Sequence, residues 1–159
     1  MTKLSNFIVL LLAIGLSSCY SPYRQFADEE KPEEKNLVGS YKLDLSKADC
    51  ISDADKEKNP QITLSADGTF SVANFPVFTE FEKYEMCNGK GKWNVEREES
   101  WRCWGIFINY NSLYNSQTGD SAKTFITNYF IYGKKDPFKI YVIISDPDLW
   151  YGMLFEKTK

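Results

Sequence analysis

QITLSADGTFSV, residues 61–72, is the stretch that decides the fold. Apolar and polar residues alternate on both sides of Asp67-Gly68, which is the pattern of half-buried strands. Asp-Gly supplies the positive φ that a tight hairpin turn demands. The sequence therefore predicts two antiparallel strands, 61–65 and 69–75, joined by a short turn.

Short strands continue on both sides of this hairpin. Residues 37–45 alternate Tyr41, Leu43 and Leu45 with polar residues, as a half-buried strand does. Further predicted strands are 92–96, 101–110, 123–132, 138–145 and 149–157; predicted connections are a bent segment 75–86, turns at 87–91 and 97–100, and a polar loop 111–120. The prediction is an all-β fold, an antiparallel meander of about eight strands that closes into a small barrel.

Two aromatic residues are predicted to lie in the core of this barrel. Trp93 shares a strand face with Val95, and Phe70 shares one with Val72. Large rings beside β-branched residues on one face of a strand are typical of a buried sheet surface.

The segment 46–60 is polar and predicts a long loop with at most one helical turn. The spacing of Asp53, Asp55 and Glu57 suggests a calcium loop, but the glycine and the distant bidentate glutamate of an EF-hand are missing. A solvated acidic loop is the better interpretation, and no metal site or cofactor is predicted.

Composition limits the classes of function. The chain has 159 residues, 43% of them hydrophobic and 16% aromatic, which predicts one cooperatively folded domain. It has no histidine, so it lacks the usual general base and the commonest zinc ligand. The formal net charge is -3, and it argues against nucleic acid as a partner.

No catalytic residues are predicted, and the chain is not expected to be an enzyme. Asp146 and Asp148 could form a carboxylate pair, but Asp-Pro-Asp between two strands is better explained as a turn. Ser40 and Ser65 have lysines nearby in sequence, yet no motif joins a nucleophile to a base.

The N-terminus resembles the leader of a bacterial lipoprotein. Lys3 precedes an apolar run over residues 7–14, which is too short for a permanent transmembrane helix, and Leu16-Ser17-Ser18-Cys19 resembles a lipobox. The resemblance implies that residues 1–18 are a signal peptide and that Cys19 receives the lipid after cleavage. A secretory peptide with an incidental cysteine is the alternative. Lipoprotein anchoring implies a membrane partner and an envelope location, at the outer membrane of a Gram-negative bacterium, periplasmic or surface-facing.

The segment 19–35 has two prolines and acidic clusters without apolar periodicity, so it is interpreted as a flexible acidic tether before a domain at 36–159. The tether either spaces the domain from the membrane or acts as a surface-export signal, which acidic residues behind the acylated cysteine resemble.

The domain resembles small bacterial lipocalin-like lipoproteins. The resemblance rests on short motifs: Gly39 with Tyr41, Ile62-Thr63-Leu64, Asp67-Gly68-Thr69-Phe70, Gly91-Lys92-Trp93, Asp146-Pro147-Asp148 and Phe155-Glu156-Lys157. Tyr41 stands where true lipocalins have a tryptophan. The resemblance implies a barrel that could hold a small ligand.

Three cysteines remain once Cys19 carries the lipid. A hairpin around 97–100 would put Cys103 opposite Asn94, which is too far from Cys87 for a bridge. Cys50 and Cys87 both fall in predicted loops, so a disulfide between these two is predicted, with Cys103 as a free thiol.

The aromatic residues exceed what a small barrel interior holds. The rings in question are Trp101, Trp104, Trp150, Tyr110, Tyr114, Tyr129, Tyr132 and Tyr151. They either cover sheet surface and barrel ends or form a platform for sugars or proteins. Two functions follow: a binding module for a small apolar or glycan ligand, or a structural or protein-interaction lipoprotein whose barrel is filled by its own side chains.

Overall fold

The computed structural model describes residues 25–27, 30–80, 83–122, 128–144 and 151–158. Eight strands form a closed antiparallel barrel in which each strand pairs with its neighbours in sequence and β8 returns to β1. The strands are β1 Gly39–Leu43, β2 Gln61–Leu64, β3 Thr69–Glu80, β4 Lys83–Glu98, β5 Cys103–Asn115, β6 Asn128–Tyr132, β7 Lys139–Ile143 and β8 Gly152–Lys157. The predicted all-β meander barrel is confirmed. The signal peptide, Cys19 and the Asp146-Pro147-Asp148 turn lie outside the described residues.

The first strand is shorter than predicted. Tyr41 and Leu43 are buried as the alternation indicated, but Leu45 is 54% exposed. The strand ends because the Asp44 side chain accepts a hydrogen bond from the Ser46 backbone N–H and begins a 3-10 turn over Leu45–Lys47. Leu45 therefore leaves the sheet before its side chain can turn inward.

The hairpin of β2 and β3 forms as predicted. Ile62 pairs with Val72 and Leu64 with Phe70, and all four side chains are buried. Gly68 has φ 76°, the left-handed conformation that the turn requires.

The predicted connection at 75–86 and the predicted turn at 87–91 are wrong, because β3 and β4 are long strands that run through both. Phe75 pairs with Cys87, and Phe70 pairs with Gly91. Asn74 (φ 48°) forms a bulge that adds one residue to β3 and shifts the alternation by one position. Phe75 therefore points inward, as Phe70 does before the bulge. The bulge is held by the Asn74 N–H, which donates to Asn88 Oδ1 at 2.9 Å.

The turn between β4 and β5 falls at residues 99–102, later than predicted, and β5 continues to Asn115 through the first half of the predicted loop. Cys103 therefore pairs with Glu98, and Asn94 pairs with Phe107. The predicted pairing of Cys103 with Asn94 is wrong because the strand starts two residues after Trp101.

The connection at 44–60, called here the 44–60 segment, folds over one end of the barrel. It contains the 3-10 turn and a short helix, α2 (Asp53–Lys56), and it follows the helix α1 (Glu34–Leu37) in the chain. Ala48, Cys50 and Ile51 are buried in the same cluster as the barrel interior. The prediction of a solvated loop is thus wrong for these residues, although the Asp53 side chain of α2 is exposed.

The predicted tether over residues 19–35 is also wrong in part. Phe26 is fully buried and Leu37, at the end of α1, packs against the barrel interior. The Tyr41 hydroxyl donates to the Leu37 carbonyl at 2.6 Å and fixes α1 against β1. Part of the segment before residue 36 therefore belongs to the folded domain.

Candidate functional site

The barrel interior is the first place to look for a ligand site, and aromatic rings cross it. The Phe75 ring stacks on Tyr129 at 5.8 Å between centroids and on Phe155 at 5.6 Å. These rings come from β3, β6 and β8, and each side chain is at most 3% exposed. The walls of the barrel therefore contact each other through their own side chains at its centre.

Glycines on β4 make room for further rings. A Cβ atom on Gly91 would lie 2.7 Å from the Phe70 ring, and one on Gly89 would lie 3.1 Å from the Tyr110 ring. Phe70 and Tyr110 in turn pack edge to face at 5.0 Å. Large rings facing glycines on a neighbouring strand are a way in which small barrels fill their interior.

Two tyrosine hydroxyls inside the barrel bind each other. The hydroxyls of Tyr110 and Tyr129 lie 2.9 Å apart. Burial raises the pKa of Tyr110 to about 12 and raises the pKa of Tyr129 well above its usual value. Both phenols are thus neutral at physiological pH and act as hydrogen-bonding groups, with no role for them as bases.

The 44–60 segment is fastened to β4 by Tyr84. The Tyr84 hydroxyl accepts the Ser52 N–H at 2.8 Å and donates to Asp55 Oδ2 at 2.7 Å. Asp55 also accepts a hydrogen bond from the ammonium group of Lys58 at 2.7 Å. The bonds from Lys58, Tyr84 and Ser52 hold the pKa of Asp55 below its usual value.

Replacing Tyr84 with phenylalanine is expected to loosen the 44–60 segment, because the Ser52 N–H and Asp55 both lose a partner. We expect faster amide exchange at Ser52 and a loss of about 1 to 2 kcal/mol in the free energy of unfolding. Tyr114→Phe, on an exposed ring, is the matched control. Unchanged exchange at Ser52 in Tyr84→Phe would contradict this role.

The hydrogen bonds of Asp55 predict that the stability of the fold depends on pH. Because the pKa of Asp55 is lower in the folded state, its contribution to stability is present above about pH 4 and is lost as the pH falls through the folded value. Acid unfolding followed by circular dichroism should therefore show that the wild type loses more stability than Tyr84→Phe as the pH falls.

Several of the excess aromatic residues form a second cluster on the outside of the barrel. Trp101 stacks on Phe130 at 4.4 Å, and Phe26 lies 5.4 Å from the same ring. Tyr132 and Tyr141 pack at the edge of this cluster. These rings cover the outer surface of β6 and β7, as the first of the two aromatic interpretations predicted.

The remaining aromatic residues divide between the interior and the surface. Trp104 and Tyr151 pack against the interior cluster, and the guanidinium of Arg97 lies 5.7 Å from the Trp104 ring. Tyr114 is 43% exposed, and Trp150 lies outside the described residues. The described rings do not form a continuous exposed platform.

The candidate ligands for calcium are occupied by lysines. Asp53 pairs with Lys56 at 3.0 Å and Asp55 with Lys58 at 2.7 Å, both within the turns around α2. Among the described residues, no group of three or more acidic or cysteine side chains could hold a metal ion.

The serine candidates are not brought to a catalytic partner. Ser40 shares a hydrogen bond with the Thr63 hydroxyl at 3.2 Å across β1 and β2. Ser65 uses its carbonyl to accept the Trp93 indole N–H at 3.0 Å, which fixes the hairpin turn against β4.

Cys50, Cys87 and Cys103 are buried, and the predicted disulfide between Cys50 and Cys87 is not formed in this structure. Its premise is wrong for Cys87, which lies within β4 between Phe75 and Asn115. Twelve residues of β5, roughly 40 Å, separate the level of Cys87 from Cys103.

Thiol titration distinguishes the two arrangements. Burial raises the pKa of Cys50 and of Cys87 to about 11 each, so neither thiol should react at neutral pH while the protein is folded. In denaturant, Cys50, Cys87 and Cys103 should all become reactive. Detection of one reactive thiol instead of three would indicate a disulfide, and peptide mapping would show whether it joins Cys50 to Cys87.

The chain matches no family model, no curated protein and no solved structure. Within the ranges that the structure describes, no helix is long and apolar enough to span a bilayer. The fold and its interior define a class: a small closed antiparallel β-barrel whose centre is occupied by its own aromatic rings.

Proposed function

We propose that this protein is a lipid-anchored envelope lipoprotein whose barrel is a non-enzymatic structural or interaction module. The lipobox resemblance at Cys19 supports the anchor and an outer-membrane location in a Gram-negative bacterium, and the absence of histidine supports a role without catalysis. Its outer surface, and not its interior, is the part that meets partners.

The observation that carries this choice over a small-ligand carrier is the ring stack of Phe75 with Tyr129 and Phe155. A carrier needs a cavity of several hundred Å3. Here the stack joins opposite parts of the wall, and Gly89 and Gly91 are covered by Tyr110 and Phe70. An apolar or glycan ligand would have to displace these rings.

Both ends of the interior are also covered by the chain itself. Leu37 packs against the cluster at the end where β1 begins, and Ile51 packs against it from the 44–60 segment, where β1 ends. Covered ends and a filled centre together favour a barrel that serves as a rigid support for its surface.

Native mass spectrometry of the protein purified from its host membrane tests the proposal. We expect the mass of the mature polypeptide with its acyl chains and nothing further. A small molecule retained in stoichiometric amount would overturn the proposal in favour of the ligand carrier. Phe75→Ala is the matched positive control, because removal of its ring leaves an apolar void that an added fluorescent apolar probe can fill.

A further inference from the structure

The segment Gln25 to Ala27 is fixed to the barrel by backbone hydrogen bonds on two sides. The Ala27 N–H donates to the Ile131 carbonyl at 2.9 Å, and the Ala27 carbonyl accepts the Trp104 N–H at 2.7 Å. The Gln25 carbonyl accepts the Gly133 N–H at 2.7 Å. This short segment is therefore wedged between the start of β5 and the end of β6.

The direction of the segment shows where the preceding chain leaves the barrel. Phe26 pairs with Tyr132 in antiparallel orientation, so the chain runs opposite to β6 and Gln25 lies beside Gly133, past the end of that strand. This end, called here the anchor end, carries the turns at residues 65–68, 99–102 and 133–138. The 44–60 segment lies at the opposite end.

Burial of Phe26 makes this attachment strong. Its side chain is 0% exposed and contacts the rings of Phe130, Tyr132 and Tyr141 at centroid distances of 5.4 to 5.9 Å. Because exposing such a ring to water is unfavourable, the segment stays docked at equilibrium.

The docked segment shortens the connection between Cys19 and the barrel. Six residue steps separate Cys19 from Gln25 and span at most roughly 20 Å. A tether that ran to residue 36 would span up to about 60 Å and would allow any orientation. On the long side of the barrel, the 13 residues of β5 extend for about 40 Å along the strand.

We propose that the anchor end faces the phospholipid headgroups and that the opposite end, with the 44–60 segment, points away from the membrane. The proposal rests on the lipid anchor of the proposed function. Charge does not favour this orientation, because acidic residues slightly outnumber basic ones at the turns of this end; the residues are Asp67, Glu98, Glu99 and Asp136 against Arg102, Lys134 and Lys135. The short connection alone sets the orientation.

Photo-crosslinking in the native membrane tests this orientation. Benzoylphenylalanine replaces either Lys135, exposed at the anchor end, or Gln117, exposed at the opposite end, in the full-length protein. After irradiation, we expect phospholipid adducts at position 135 and none at position 117. Equal adducts at both positions would overturn the orientation, as would adducts at position 117 alone.

A matched variant lengthens the connection without touching the docked segment. Inserting 20 Gly/Ser residues between Arg24 and Gln25, a flexible span of roughly 25 Å on average, should abolish the difference between the two positions while the melting temperature stays unchanged. A difference that survives the insertion would overturn the short connection as its cause. Palmitate incorporation, measured in each sample, separates the two proposals: its absence overturns the lipid anchor, and its presence with equal adducts overturns only the orientation.

Discussion

Truncation of Phe75 to alanine is expected to lower the free energy of unfolding by about 3 to 5 kcal/mol, the usual cost of removing a fully buried ring. Phe75 is 0% exposed, and its ring stacks on both Tyr129 and Phe155. Loss of these contacts leaves a void at the centre of the barrel, where three strands meet. Denaturant unfolding followed by tryptophan fluorescence measures the change.

Phe107→Ala is the matched control, because this ring lies on the outer face of β5 and is 39% exposed. We expect a change within about 0.5 kcal/mol there. Phe70→Ala and Trp93→Ala should behave like Phe75→Ala, since these two rings are 2% and 6% exposed, as their strand patterns predicted. Equal unfolding midpoints for Phe75→Ala and Phe107→Ala would show that the stack does not hold the barrel together.

Strand patterning in the sequence was sufficient to predict the barrel. The alternation around Tyr41 and Leu43 and the Asp67-Gly68 turn depend on local chemistry, and the structure confirms both. A single sequence predicts such local features best, because the alternation of apolar and polar residues and an Asp-Gly turn can be recognised without knowing any tertiary contact.

The glycines of β4 caused the largest error in the predicted fold. Cys87-Asn88-Gly89-Lys90-Gly91 has the composition of a turn, yet Gly89 and Gly91 lie within a 16-residue strand. A Cβ on Gly91 would clash with the Asn109 carbonyl oxygen as well as with the Phe70 ring, and one on Gly89 would meet Leu113 at 2.7 Å as well as the Tyr110 ring. These contacts come from residues about 20 positions away and cannot be read from the local pattern.

The docked N-terminal segment and the 44–60 segment were missed for a related reason. Phe26 is one of three aromatic residues, with Tyr20 and Tyr23, in a polar and acidic stretch, and Ile51 is one large apolar residue in a charged stretch, so neither belongs to a strand-like alternation. Each is buried by a tertiary contact, Phe26 with Phe130 and Ile51 with the interior cluster. The aromatic residues of the predicted tether were a signal that a fully solvated segment does not explain.

Replacing Cys19 with serine is expected to abolish lipid attachment completely. The diacylglycerol of a lipoprotein is joined to the lipobox thiol, and a hydroxyl at position 19 offers no thiol for this reaction. The precursor should keep residues 1–18 and run larger on a gel, and labelled palmitate should be absent from it. Metabolic labelling followed by detergent phase partition measures both effects.

The folded domain should survive this change, because residue 19 precedes the docked segment that begins at Gln25. Cys19→Ser and the wild type should therefore unfold at the same denaturant concentration, which distinguishes a lost anchor from a misfolded barrel. Ser18→Ala is the control within the lipobox, since alanine keeps a small residue before the cysteine, and we expect normal labelling there. Palmitate in Cys19→Ser would refute the assignment of the lipid to Cys19, because the acyl chain would then be joined to another residue.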